Sequence, residues 1–115
     1  MYQYASKVTH VVDGDTVDLS VDLGFMVSVL VRFRLADINA PEMKNETLAA
    51  GKASKAHLEA LLGDAQMGII RLDSLGKDKY GRWVAKLYYV SVATGETVDV
   101  SAKMIADGFA VAYVP

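Results

Sequence analysis

Three short stretches gather carboxylates, guanidiniums and amides at points where apolar runs end. The first is Asp13-Gly14-Asp15-Thr16. The second, FRLADINAPE (Phe33 to Glu42), holds Arg34, Asp37, Asn39, Ala40, Pro41 and Glu42. The third, Lys77 to Arg82, holds Asp78, Lys79, Tyr80 and Arg82. Asp15 is a hard oxygen donor of the kind Ca2+ and Mg2+ take. Glu42 is a candidate for orienting or deprotonating a water. Arg34 and Arg82 each offer forked donors to phosphate oxygens. A cation, a water activator and two guanidiniums where negative charge builds are the parts of metal-assisted phosphodiester hydrolysis. Each part also has an ordinary structural explanation. Asp-Gly-Asp-Thr is a turn sequence, Asn39 suits the turn before a proline, Lys79 and Tyr80 suit a solvated loop, and Arg82 suits a strand edge.

Such groups act together only if the elements carrying them converge. Val17, Leu19, Val21 and Leu23 alternate with Thr16, Asp18, Ser20 and Asp22, and Val27 to Leu35 repeats the pattern. Period 2 predicts strands. Asp13-Gly14 is a hairpin signal, and Asp22-Leu23-Gly24 predicts a second turn, so the N-terminal part is a three-stranded meander. Asn45 is expected to cap a helix that starts near Glu46. Its stripe is Leu48, Gly51, Lys55, Leu58, Leu61 and Leu62, and Gly63 is its stop. Strands follow at Met67–Leu75 and Trp83–Val92, then a short helix near Val98–Ala106 ended by Gly108. The order β-β-β-α-β-β-α predicts a mostly β fold with helices (α+β). That is a five-stranded OB-type barrel with one helix between strands three and four and a second near the C-terminus. A split α+β sheet is the competing architecture. Arg34 and Asn39 differ in parity, so they meet only if the strand bends or ends between them.

Length and composition fit one domain over residues 1–115. At 52% hydrophobic and 23% charged residues, the chain supports a packed core and does not have the composition of a disordered segment. No apolar run approaches the ~20 residues of a membrane helix. The N-terminus lacks the layout of a signal peptide, which predicts a cytoplasmic protein or a mature chain; a monomer is expected. With no cysteines, thiolate metal sites and disulfides are excluded. His10 and His57 lack ligand spacing and are expected to be ordinary surface or core-edge histidines. The net charge of −2 means that phosphate recognition must come from local cations.

Taken in order, VVDGDTVDL (Val11–Leu19), FRLADINAPE, KDKYGR (Lys77–Arg82) and the tail GFAVAYV (Gly108–Val114) resemble the staphylococcal nuclease (thermonuclease-like) family over nearly the whole chain. The resemblance implies an OB-type barrel that hydrolyses DNA or RNA phosphodiesters with Ca2+. It makes Asp15, Asn39 and the Ala40 carbonyl the metal ligands. Glu42 falls on the residue that contacts the attacking water, and Arg34 and Arg82 fall on the phosphate-binding arginines. Lys79 and Tyr80 fall beside a terminal phosphate, and Tyr113 near the nucleotide base. An inactive OB-fold module that binds single-stranded nucleic acid or a protein partner is the alternative.

The sequence departs from the family pattern at Asn39, which stands where an Asp is usual, and at Ala40, where Thr is common. Asp37 stands where small or apolar residues are common, and the further C-terminal helix of some members is not expected here. Asn39 retains a carbonyl oxygen without the charge, so weakened metal affinity is expected. If the strand continues, Asp37 shares a face with Asn39 and would restore charge; otherwise it pairs with a lysine or points to solvent.

Overall fold

The computed structural model describes residues 2–114. Strands β1 (Tyr2–Asp13), β2 (Thr16–Gly24) and β3 (Val27–Leu35) form the antiparallel meander. After them come β4 (Ile38–Asn39), a 3-10 turn (Asn45–Thr47) and α1 (Leu48–Gly63). The chain then forms β5 (Ile70–Lys77), β6 (Trp83–Val90), β7 (Thr97–Asp99), α2 (Val100–Ala106) and β8 (Val111–Ala112). The main sheet runs β3-β2-β1-β5-β6-β7, and β3 also pairs with β6 in parallel at Phe33–Leu35. That last pairing closes β1, β2, β3, β5 and β6 into a five-stranded mixed barrel of OB type. Closure replaces the split-sheet alternative and leaves β7 outside the ring.

Alternation explains the core. Val17, Leu19, Phe33, Leu35, Ile70, Leu72 and Leu87 point inward and are buried, joined by Leu58 and Leu62 from α1 and Val100 and Met104 from α2. Each such side chain contributes about 1.5–3 kcal/mol relative to exposure. His57 stacks on Phe109 with ring centroids 4.1 Å apart and bonds Asp107 at 2.7 Å, tying α1 to the end of α2.

Two local expectations, at Asn45 and at the second turn, are corrected. Asn45 does not cap a helix: its φ is +53° and it makes no capping bond. Thr47 Oγ1 instead donates to the carbonyls of Glu42 and Lys44, and α1 begins at Leu48. Gly63 ends α1 as expected, being its last helical residue, and Asp64 follows in right-handed conformation. The second hairpin turns at Phe25-Met26, one residue beyond Gly24, and both side chains project fully into solvent.

The inward stripe of α1 is Gly51, Ser54, Leu58 and Leu62, so its N-terminal half is small where the sequence pattern placed Leu48. The cause is close packing against loops. A Cβ on Gly51 would lie 2.7 Å from the Glu42 carbonyl oxygen, and one on Gly14 would lie 1.9 Å from Ser54 Oγ and 2.7 Å from the Ala40 Cβ. Ser54 cannot yield freely, because it is buried and its hydroxyl donates to the Phe109 carbonyl at 2.8 Å. Alanine at Gly51 should therefore destabilise the fold by about 1–3 kcal/mol, despite a helix-propensity gain of about 1 kcal/mol. Alanine at Gly63, which meets nothing within 4 Å, should be neutral or stabilising by up to about 1 kcal/mol. Urea unfolding of the two variants checks this; equal stabilities would contradict the packing role of Gly51.

Candidate active site

The β1–β2 turn is a two-residue connection in which Asp13 Oδ1 accepts the Asp15 N–H at 3.0 Å. The turn therefore rests on a side-chain bond. Gly14 has no left-handed backbone to accommodate; it is glycine for space. Burial, together with the neighbouring Asp15 carboxylate, pushes the Asp13 carboxyl above its ordinary range. The Asp15 carbonyl accepts the Leu35 N–H at 2.7 Å, which locks the turn to the end of β3. Its carboxylate accepts from the Thr16 hydroxyl at 3.1 Å and from the Ala40 N–H at 2.8 Å.

Arg34 crosses this cluster. Its Nη1 lies 3.5 Å from Asp15 Oδ2 and donates to the Leu35 carbonyl at 3.0 Å, while Nη2 donates to Asn39 Oδ1. Asp15 and Asn39 thus converge on one guanidinium, and the parity conflict between Arg34 and Asn39 is resolved by the backbone. β3 ends at Leu35, and Asp37 takes a left-handed φ of +70°, a conformation Asp tolerates better than most residues. The chain reverses, and β4 presents Asn39 back toward Arg34. The expectation that Asp37 shares a face with Asn39 is corrected, because the strand does not continue. The Asp37 carboxylate is exposed and pairs with Lys86 Nζ at 3.5 Å. That carboxylate holds the Lys86 ammonium above its ordinary range. Pairing of β4 with β8, and the bond from the Tyr113 N–H to the Asp37 carbonyl, bring the C-terminal tail to the same place.

The third cluster is held by Asp78, which the sequence pattern identified without a role. Asp78 Oδ1 accepts the N–H groups of Tyr80 and Arg82, and Oδ2 accepts Arg82 Nε at 2.7 Å. Its signature in sequence is an Asp two residues before an aromatic and four before an arginine in a Gly-containing turn. The guanidinium of Arg82 and the ammonium of Lys79 both lie over the Tyr80 ring, at 5.2 and 5.3 Å from its centroid.

A cleft of about 570 Å³ joins these parts. Its lining includes Arg34, Lys79, Tyr80, Arg82 and Tyr113. Five of the nine candidate residues therefore share one cavity. Asp15 and Asn39 contact Arg34, and Ala40 is bonded to Asp15. Glu42 is set apart: it is largely exposed, and its carboxylate lies 3.4 Å from Lys44 Nζ.

Asp15, Asn39 and the Ala40 carbonyl are donors of the right type for a hard divalent cation. Asp15 and Asn39 meet where positive charge already sits, on Arg34. Only Asp15 brings a formal charge, and among the described residues no group of three or more His, Cys, Asp or Glu gathers. The set fits a weakly held cation better than a tight one.

A barrel of this topology, with two arginines and an oxygen cluster at one end, is the architecture the sequence motifs implied. Comparison with known proteins agrees. The family model described as "Staphylococcal nuclease homologue" matches residues 32–115. The chain belongs to the staphylococcal nuclease family. It is 31% identical over 110 residues to Protein ParB of Escherichia coli, covering 93% of this chain and 56% of that protein. It is 32% identical over 107 residues to an uncharacterized endonuclease of Haemophilus influenzae, covering 93% of this chain and 51% of the relative. To the micrococcal nuclease of Shigella flexneri it is 29% identical over 113 residues, 96% of this chain and 59% of that enzyme. The chain thus spans little more than half the length of these relatives.

The clamp at Asp78 has a pH signature. Desolvation opposes its ionisation, but the N–H and guanidinium of Arg82 and the N–H of Tyr80 outweigh it and hold the carboxyl below the ordinary range. A depressed folded pKa contributes stability above the unfolded value of about 3.9, lost as pH falls through the folded value. The loop should therefore stay clamped at pH ~4 and release below it. Carboxyl 13C titration should place the Asp78 midpoint under about 3.9; a midpoint at or above that value would contradict the clamp.

Proposed function

We propose that this domain is a Ca2+-dependent nuclease that hydrolyses phosphodiester bonds of DNA, RNA or both, with weakened metal affinity because Asn39 replaces the usual Asp. The observation that carries the proposal is the placement of Arg34 and Arg82 in one cleft with Lys79, Tyr80 and Tyr113, with the oxygens of Asp15 and Asn39 beside Arg34. Family membership and relatives named as nucleases support the same chemistry.

In this proposal the two guanidiniums grip the nonbridging oxygens of the scissile phosphate, where charge grows in the transition state. Asp15, Asn39 and the Ala40 carbonyl hold the cation, which when bound supplies Lewis-acid polarisation of the phosphate. Asp78 keeps Arg82 aimed before substrate arrives, since a guanidinium bonded to a carboxylate loses less freedom on binding. Tyr80 and Tyr113 offer faces to nucleotide bases, and Lys79 offers charge to a neighbouring phosphate. Glu42 activates the attacking water after leaving Lys44. The exposure of the Glu42–Lys44 pair makes that exchange inexpensive, because surface ion pairs are worth only about 0–1 kcal/mol.

Incubation with single-stranded DNA and RNA under Ca2+ titrated into the millimolar range tests the proposal. Strand cleavage that a chelator abolishes is the expected outcome. Intact strands at every level of Ca2+, Mg2+ and Mn2+ would sink it, and binding without cleavage would mark a strand-binding module instead. Glu42→Gln should lower kcat by roughly 10²–10⁴-fold with the fold intact; an unchanged kcat would remove Glu42 from the mechanism.

A further inference from the structure

β6 pairs with β3 only at Phe33–Leu35, whereas β2 covers the other side of β3 along its length. The edge of β3 from Val27 to Arg32 therefore has no strand partner among the described residues. Between that edge and the β5–β6 loop opens a second groove of about 380 Å³, separate from the cleft that holds Tyr80 and Tyr113. Its walls include Leu30, Arg32 and Trp83, and it shares Arg34 and Arg82 with the first cleft. The two arginines stand on the divide between the grooves. A polymer running from one groove to the other carries a phosphate across both guanidiniums.

We propose that this groove is a second nucleotide subsite. It takes the single strand on the far side of the scissile phosphate from Tyr80 and Tyr113, stacking a base on Trp83 and placing a phosphate at Arg32. The inference rests on the nuclease reading of the shared arginines and extends it. Trp83 is 42% exposed at the start of β6, with Leu30 at 66% beside the same groove. An indole face at a strand end is a stacking platform that accepts any base. Lys77 Nζ, from the side of the first cleft, lies over the Trp83 ring at 5.0 Å from its centroid, and in the proposed subsite the base takes the face turned to the second groove. Arg32 is 62% exposed and is held in place by Asp18 through bonds of 2.8 and 3.2 Å. Aromatic surface interleaved with positive charge is what a single strand recognises. The arginines common to both grooves favour a polynucleotide over a protein strand added to the β3 edge.

Trp83 is the single tryptophan, so emission excited at the red edge of the absorption band, where tyrosine does not absorb, reports on Trp83. The test titrates the Glu42→Gln chain, in Ca2+, with an oligothymidylate of about eight nucleotides and with a nucleoside 3′,5′-bisphosphate, which with its single base is too short to occupy both grooves. The oligonucleotide should quench the emission and the bisphosphate should leave it nearly unchanged. In anisotropy measurements Trp83→Ala should weaken oligonucleotide binding about tenfold and leave bisphosphate affinity intact. Arg32→Gln should lower the salt dependence of strand binding by about one phosphate contact. Strand binding with unchanged emission and no effect of Trp83→Ala would overturn the subsite while leaving the nuclease reading standing. Concentration-dependent dimerisation that Leu30→Lys abolishes would overturn it in favour of strand pairing between two copies. If the wild-type chain neither cleaves nor binds strands, the nuclease reading falls and the subsite with it.

Discussion

The small inner face at the start of α1 is the constraint on which the rest of the site depends. Gly51 lets the helix approach the Glu42 backbone, and Ser54 sits where only a glycine at position 14 fits. Two loops remote in sequence are thereby pressed against one helix. Their proximity permits the bond from the Ala40 N–H to the Asp15 carboxylate, and Asp15 in turn holds the end of β3 through Leu35. Arg34 is fixed last, between Asp15 and Asn39. The polar cluster is a consequence of backbone packing, and a substitution two layers away on α1 reaches it.

The electrostatics follow a single rule. The chain carries a net charge of −2, so no broad positive field draws in a polyanion. Positive charge is concentrated instead, and each arginine of the cleft has its own acidic partner: Asp15 for Arg34 and Asp78 for Arg82. Such pairing limits rotamer freedom and keeps the guanidiniums from collapsing elsewhere. Under the proposed function, an arriving phosphate would compete with a resident carboxylate. Competition of that kind favours a doubly charged or transition-state-like phosphate over weaker anions.

Much of this was legible in the sequence, for reasons that differ by element. The meander was readable because period 2 is a direct imprint of a half-buried strand, and the three polar clusters because each ends such a run. The start of α1 was legible only in part: Gly51 lay on the stripe read from the sequence, but the buried Ser54 did not, and Leu48, which an apolar search favours, is exposed. The turn at Asp37 was hidden for a related reason: nothing in an Asp announces a left-handed backbone, and only that conformation reconciles Arg34 with Asn39. The second groove beside Trp83 depends on where β6 stops pairing with β3, a property of barrel closure that no local pattern encodes. The exposed pairing of Glu42 with Lys44 likewise belongs to the three-dimensional surface.

Asn39 concentrates the account in one atom. Its side-chain oxygen meets Arg34 beside Asp15, and the central claim is that this oxygen belongs to a weak cation site. Calorimetric titration of Ca2+ into the wild-type chain and Asn39→Asp tests it most directly. A carboxylate in contact with a divalent cation adds an attraction of at least about 1–2 kcal/mol even under aqueous screening. Weak binding to the wild type, and affinity tighter by about tenfold or more in the variant, are therefore expected. Equal affinities, or no binding by either chain, would contradict it.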